Sequence, residues 1–131
     1  MSALIDGVFD PLHPGHLEYF RAAREYAPVV CHISESTRHP PLLSVPDRHL
    51  MISGIAGWLL FHFEGSTEYA LRDLKPTHYI KGKDWEGKLP PEQVAICQEQ
   101  GTEIVFTDTM VGSSSALLER YQRADVAAFE A

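Results

Sequence analysis

The chain has 131 residues, a formal charge of −7, 44% hydrophobic residues and 22% charged ones. That size suits one domain with a core of its own. The acidic balance argues against a general nucleic-acid binder, and nothing in the composition suggests disorder, collagen or a coiled coil. Cys31 and Cys97 form no CxxC pair and read as buried, reduced thiols. The start, MSALIDGVFDPLH, has neither a basic n-region nor a long apolar stretch, and the longest apolar run, Ile55–Phe61, is far too short to span a bilayer. The expectation is a soluble cytoplasmic protein of one domain, residues 1–131.

In chain order, Ala3–Val8 is short, apolar and closed by a turn, which predicts a buried strand. Leu17, Phe20, Ala23 and Ala27 recur at helical spacing from Gly15 to Tyr26, and Pro28 ends that helix. Val29–Ile33 is a β-branched strand, and Ser34–Val45, with His39, Pro40 and Pro41, is a loop. Pro46 and Asp47 open a helix through Ile55, expected to turn Leu50, Met51 and Ile55 inward. Trp58–Phe63 is the third strand, its side chains core or subunit interface. Ser66 caps a helix ending at Leu74, and Thr77–Ile80 is a fourth strand. Lys81–Leu89 is a loop; Pro90 and Pro91 start a helix that Gly101 terminates. Glu103–Phe106 is the fifth strand, and a last helix runs from Ala116 to about Ala124.

Strands alternating with helices predict an α/β, Rossmann-like domain, a five-stranded parallel sheet with helices on both faces. Ligands of such sheets sit beyond the carboxyl ends of the strands. That rule selects Gly7–His16, Ser34–Val45, Lys81–Leu89 and Thr107–Ser115. In the first segment a strand runs into a helix whose free N–H groups make an anion site. Gly15 allows close backbone approach, and His13 and His16 bracket it.

This segment resembles the HxGH signature of the nucleotidyltransferase superfamily, preceded by G-x-F-D-P. Pro46-Asp47-Arg48 is similar to the helix-start arginine of the small cytidylyl- and adenylyltransferases. Lys81-Gly82-Lys83-Asp84-Trp85 is similar to their K-G-x-D-[WY] loop, and Ser113-Ser114-Ser115 to the serine-threonine motif opening the final helix. Glycerol-3-phosphate cytidylyltransferases and heptose-phosphate adenylyltransferase domains are the nearest resemblances. Two departures stand out: Val8 replaces a common Thr or Ser, and no lysine precedes Lys75, which leaves Arg38 as its substitute.

The resemblance implies transfer of CMP or AMP from CTP or ATP to the phosphate or phosphonate of a small polyol, sugar or similar acceptor, with release of pyrophosphate. His13, His16 and Arg48 would be catalytic. Gly7, Val8, Phe9, Gly15, His16, Lys81, Gly82, Asp84, Trp85, Ser113, Ser114 and Ser115 would bind nucleotide, and Asp10, Arg38 and Arg48 the acceptor. Mg²⁺ would arrive with the triphosphate, no resident metal site is implied, and a homodimer is expected. Two other readings stay open. One is a metal-dependent hydrolase using Asp10, His13 and His16; the other is a non-catalytic nucleotide-binding module on the same fold. His32, His49, His62 and His78 read as structural or surface residues.

Overall fold

The computed structural model describes residues 1–35, 40–109, 119, 120, 122 and 123. Five strands, β1 (Ala3–Gly7), β2 (Val29–Ile33), β3 (Leu60–His62), β4 (His78–Lys81) and β5 (Glu103–Phe106), form one sheet in the order β3-β2-β1-β4-β5. Every pairing is parallel. Helices α1 (Pro14–Arg24), α2 (Val45–Ile55), α3 (Thr67–Leu74) and α4 (Pro91–Gln100) supply the crossovers. The expected α/β architecture is what forms, and β2 and β5 occupy the predicted residues.

Alternation along β1 divides the core. Ala3 and Ile5 pack with Phe20, Ala23 and Ile52 of α1 and α2, while Leu4 packs with Ala70, Leu71, Ile96 and Cys97 of α3 and α4. Each of these larger side chains contributes about 1.5–3 kcal/mol by leaving water. Caps fix the helix ends: Ser66 Oγ accepts the Tyr69 N–H, and Gly101 ends α4 at φ +73°. Both cysteines are buried and unpaired.

Three expectations need correction. Leu50, Met51 and Ile55 are 70%, 50% and 53% exposed, not inward. The inward stripe of α2 is Arg48 and Ile52, continued by Ala56. Leu50 falls on the far side of that stripe, and Met51 and Ile55 on its flank. The third strand is only Leu60–His62, because it is an edge that pairs with β2 alone; Leu59 is buried while Leu60 and Phe63 are exposed. The fourth strand begins one residue later than expected and includes Lys81, and the loop after it holds a 3-10 turn, Lys83–Trp85. Of the expected last helix, Glu119, Arg120, Gln122 and Arg123 are helical, and its other residues lie outside the described ones, as do Arg38 and Ser113–Ser115.

Candidate active site

The sheet reverses its winding between β1 and β4, so the turn after β1 and the loop after β4 lie beside each other at the carboxyl edge. The turn is built around Gly7. A Cβ there would stand 2.8 Å from the Phe9 ring, so only glycine fits. Phe9 adopts φ +54°, which drives its ring into the core. There it meets Phe20, and its ring lies at 82° to that of His16, with centroids 5.0 Å apart. Phe9, expected among the nucleotide-binding residues, has its side chain placed beneath His16 as a support.

His13 is the N-cap of α1. Its Nδ1 accepts the Gly15 N–H at 3.2 Å, and the Nδ1 of His16 accepts the His13 N–H at 3.1 Å. The two imidazoles thus act as a reciprocal capping box. A ring nitrogen that accepts a backbone N–H carries no proton, so each neutral ring bears its proton on Nε2. The rings stack at 3.8 Å. Burial and the neighbouring His13 push His16 down to about 3, and burial lowers His13 as well. Near neutral pH both rings are therefore uncharged Nε2–H donors. The His13 Nε2 is buried with no hydrogen-bond partner among the described residues, which marks it as a donor waiting for an acceptor.

Asp10 and Arg48 are placed differently from expectation. Asp10 is fully buried and accepts the Leu42 and Leu43 N–H groups at 2.8 and 3.1 Å. Arg48 is 2% exposed; its guanidinium donates to the carbonyls of Val8, Ser34 and Leu43 at 3.0, 3.0 and 3.1 Å. It also lies 3.7 Å from Glu35. Together they strap the Leu42–Leu43 segment to the ends of β1 and β2. Among the described residues no group of three His, Cys, Asp or Glu side chains could hold a metal ion.

The loop after β4 brings Lys81, Gly82, Asp84 and Trp85 to the same edge. Lys81 is 5% exposed, and its ammonium lies 2.7 Å from Asp6 and 4.3 Å from the Trp85 ring centroid. Asp6 also accepts from Thr67 and Tyr79. Burial raises the Asp6 carboxyl, but Lys81 and Thr67 together hold it below the usual carboxylate range. Tyr79 passes the network on to Gln93, and Gln93 to Glu68. Asp84 has one carboxylate oxygen, Oδ1, buried and without a partner among the described residues. Asp6 escapes the sequence reading because its partner is 75 residues away; the available signal is an acid inside the apolar strand ALIDG. Elsewhere, His32 Nδ1 donates to the His62 carbonyl at 3.1 Å, His32 Nε2 is buried without a partner among the described residues, and His62 Nε2 lies 3.0 Å from Asp73.

The sequence profile described as cytidylyltransferase-like matches residues 4–120. Curated relatives are bifunctional proteins HldE. The one from Haemophilus ducreyi is 28% identical over 106 residues, which are 73% of this chain and 22% of that protein. The one from Sulfurimonas denitrificans is 30% identical over 120 residues, 84% of this chain and 24% of that protein. The chain thus spans about a quarter of the length of these relatives or less. A solved structure described as the lipopolysaccharide core biosynthesis protein from Thermoplasma volcanium GSS1 superposes with a TM-score of 0.67 at 20% identity. It covers 84% of this chain and 98% of that one, a likeness of fold.

Proposed function

The chain belongs to the cytidylyltransferase-like family, and from that premise we propose that it transfers CMP or AMP from CTP or ATP to the phosphate or phosphonate of a small polyol or sugar, releasing pyrophosphate. The observation that carries this reading is the pair of Nε2–H donors at the N-terminus of α1. An acceptor oxygen attacks the α-phosphorus, and the bond to the departing pyrophosphate breaks. The difficulty lies in aligning two anions and holding the charge of the five-coordinate state. His13 and His16 donate to phosphate oxygens that gain charge in that state. The free N–H groups of α1 add their partial positive charge. Arg48 and Asp10 act by holding the surrounding carbonyls and amides in place.

Mg²⁺ accompanying the triphosphate would neutralise phosphate charge, and the Asp84 oxygen that has no partner among the described residues is the hard donor such an ion takes. Trp85, 37% exposed, offers a ring face for the base. Ser113–Ser115 and Arg38 keep the roles the resemblance implies, on the triphosphate and the acceptor. We place the enzyme in the cytoplasm as a homodimer, with the exposed Leu60 and Phe63 beside the edge strand as contacts, to be tested by mass in solution.

The deciding experiment is pyrophosphate release from four NTPs against sugar-phosphate, polyol-phosphate and phosphonate acceptors, with and without Mg²⁺. Release with CTP or ATP and one acceptor class, lost on chelation, is the expected result. Nucleotide binding without turnover on any acceptor would instead favour a non-catalytic module.

A further inference from the structure

The two outer pairings of the central strands run to the strand ends, through Gly7↔Ile33 and Lys81↔Phe106. The pairing of β1 with β4 stops at Ala3↔His78 and Leu4↔Tyr79. The sheet therefore opens between β1 and β4, directly below the turn that carries His13 and His16. Two struts span the opening, one on each face. On the α1 side the buried Tyr19 hydroxyl donates to the Ile80 carbonyl, which β1 has left unpaired. On the α3–α4 side Lys81 of β4 holds Asp6 of β1 at 2.7 Å, both side chains 10% exposed or less. Thr67 and Tyr79 fix the carboxylate from α3 and β4.

We infer that Asp6, Lys81 and Tyr19 are positioning residues that set the width of the β1–β4 opening, and with it the seat of the nucleotide over the two imidazoles. Lys81 acts through its pair with Asp6. It does not present its charge to phosphate. This rests on the nucleotidyl-transfer reading and adds to it which residues fix the nucleotide's seat. The rationale is geometric. The donors of His13 and His16 belong to a turn that leaves β1, while Asp84 and Trp85 follow β4. A shift of one strand against the other separates the two halves of the site, and misplacement by an ångström costs on the order of 100-fold in rate.

The two roles for Lys81 predict opposite signs for one substitution. If Lys81 met phosphate directly, Asp6→Asn would free its ammonium and tighten nucleotide binding. If the pair is a strut, Asp6→Asn weakens binding, about 10-fold or more. The test is calorimetric binding of ATP and CTP with Mg²⁺ to the unaltered chain and to Asp6→Asn, Lys81→Met, Lys81→Arg, Asp6→Asn/Lys81→Met and Tyr19→Phe. Melting curves confirm that each variant is folded at the working temperature. Expected are weaker binding for Asp6→Asn and Lys81→Met, no further loss in the double variant, partial rescue by Lys81→Arg, and a smaller loss for Tyr19→Phe. Tighter binding by Asp6→Asn overturns the inference while leaving the proposed function intact. Should Asp6→Asn not fold, unchanged affinity in folded Tyr19→Phe overturns it. An unaltered chain that binds neither nucleotide overturns the proposed function and this inference together.

Discussion

The backbone N–H of His13 donates to the Nδ1 of His16 at 3.1 Å, and the two rings stack at 3.8 Å. One hydrogen bond thereby starts a helix and decides which nitrogen of His16 faces outward. The side chains that cap α1 are the same ones that offer donors to an anion. Folding and chemistry share these two residues, and substitutions can separate them.

Asparagine is as good an N-cap as serine or aspartate, and its Oδ1 can accept the Gly15 N–H in place of the imidazole. His13→Asn should therefore melt close to the unaltered protein, whereas His13→Ala should lose about 1 kcal/mol. Both should lower pyrophosphate release by about 100- to 1000-fold, the usual effect of removing a transition-state donor. Thermal melts and a release assay on the two variants check this. An active His13→Asn would remove the ring from the mechanism.

Acidification has a defined sign. His13 and His16 have folded pKa values below 6.5, with His16 at about 3, so the unfolded chain binds more protons as pH falls. Stability is unaffected by them above about pH 6.5. Below it the loss attributable to His16 grows by about 1.4 kcal/mol per pH unit until about pH 3. Asp6, lowered below 3.8, adds a further loss once the pH falls below that value and through its folded pKa. Urea midpoints measured from pH 8 to 4 should decline, and His16→Gln should flatten the slope.

Arg48 serves three carbonyls on three separate segments, so no shorter cation replaces it. Arg48→Met should cost about 3 kcal/mol by leaving those oxygens unmet, and Arg48→Lys, with a single ammonium, should recover little of it. Hydrogen exchange gives a local signature: the Leu42 and Leu43 amides, held by Asp10, should exchange faster in both variants.

Gly7→Ala tests the support beneath His16. The added methyl meets the Phe9 ring at 2.8 Å, and that ring is locked against Phe20 and His16. Displacing it should cost about 1–3 kcal/mol and lower activity by more than the stability loss accounts for. Activity measured well below the melting temperature separates the two effects.

The local features of the sequence foretold the local features of the fold. β2 is a continuous apolar run, Ser66 and Gly101 are caps with distinct chemistry, and the alternation of elements implied parallel pairing. The inward face of α2 escapes the hydropathy pattern because a residue that turns inward is an arginine, and hydropathy gives no weight to a guanidinium bonded to carbonyls. The pairing of Lys81 with Asp6 is beyond reach for a related reason. Their meeting depends on strand order, which places residues 75 positions apart across one opening. The turn at His13 and His16 was legible as an anion site. That each ring uses Nδ1 to cap the helix needed coordinates, since it depends on ring orientation.

The buried cations Arg48 and Lys81 are both turned toward the protein's own oxygens. A polyphosphate approaching a chain of net charge −7 thus meets a repulsive long-range field. Neither of these two cations draws an anion from a distance; at contact the attraction comes from dipoles and neutral donors. Association should be slower than for electrostatically steered enzymes and should quicken as added salt screens the repulsion, the reverse of the salt response of a basic nucleotide site. Discrimination then falls to the fit of the crevice, since bulk charge favours no anion over another.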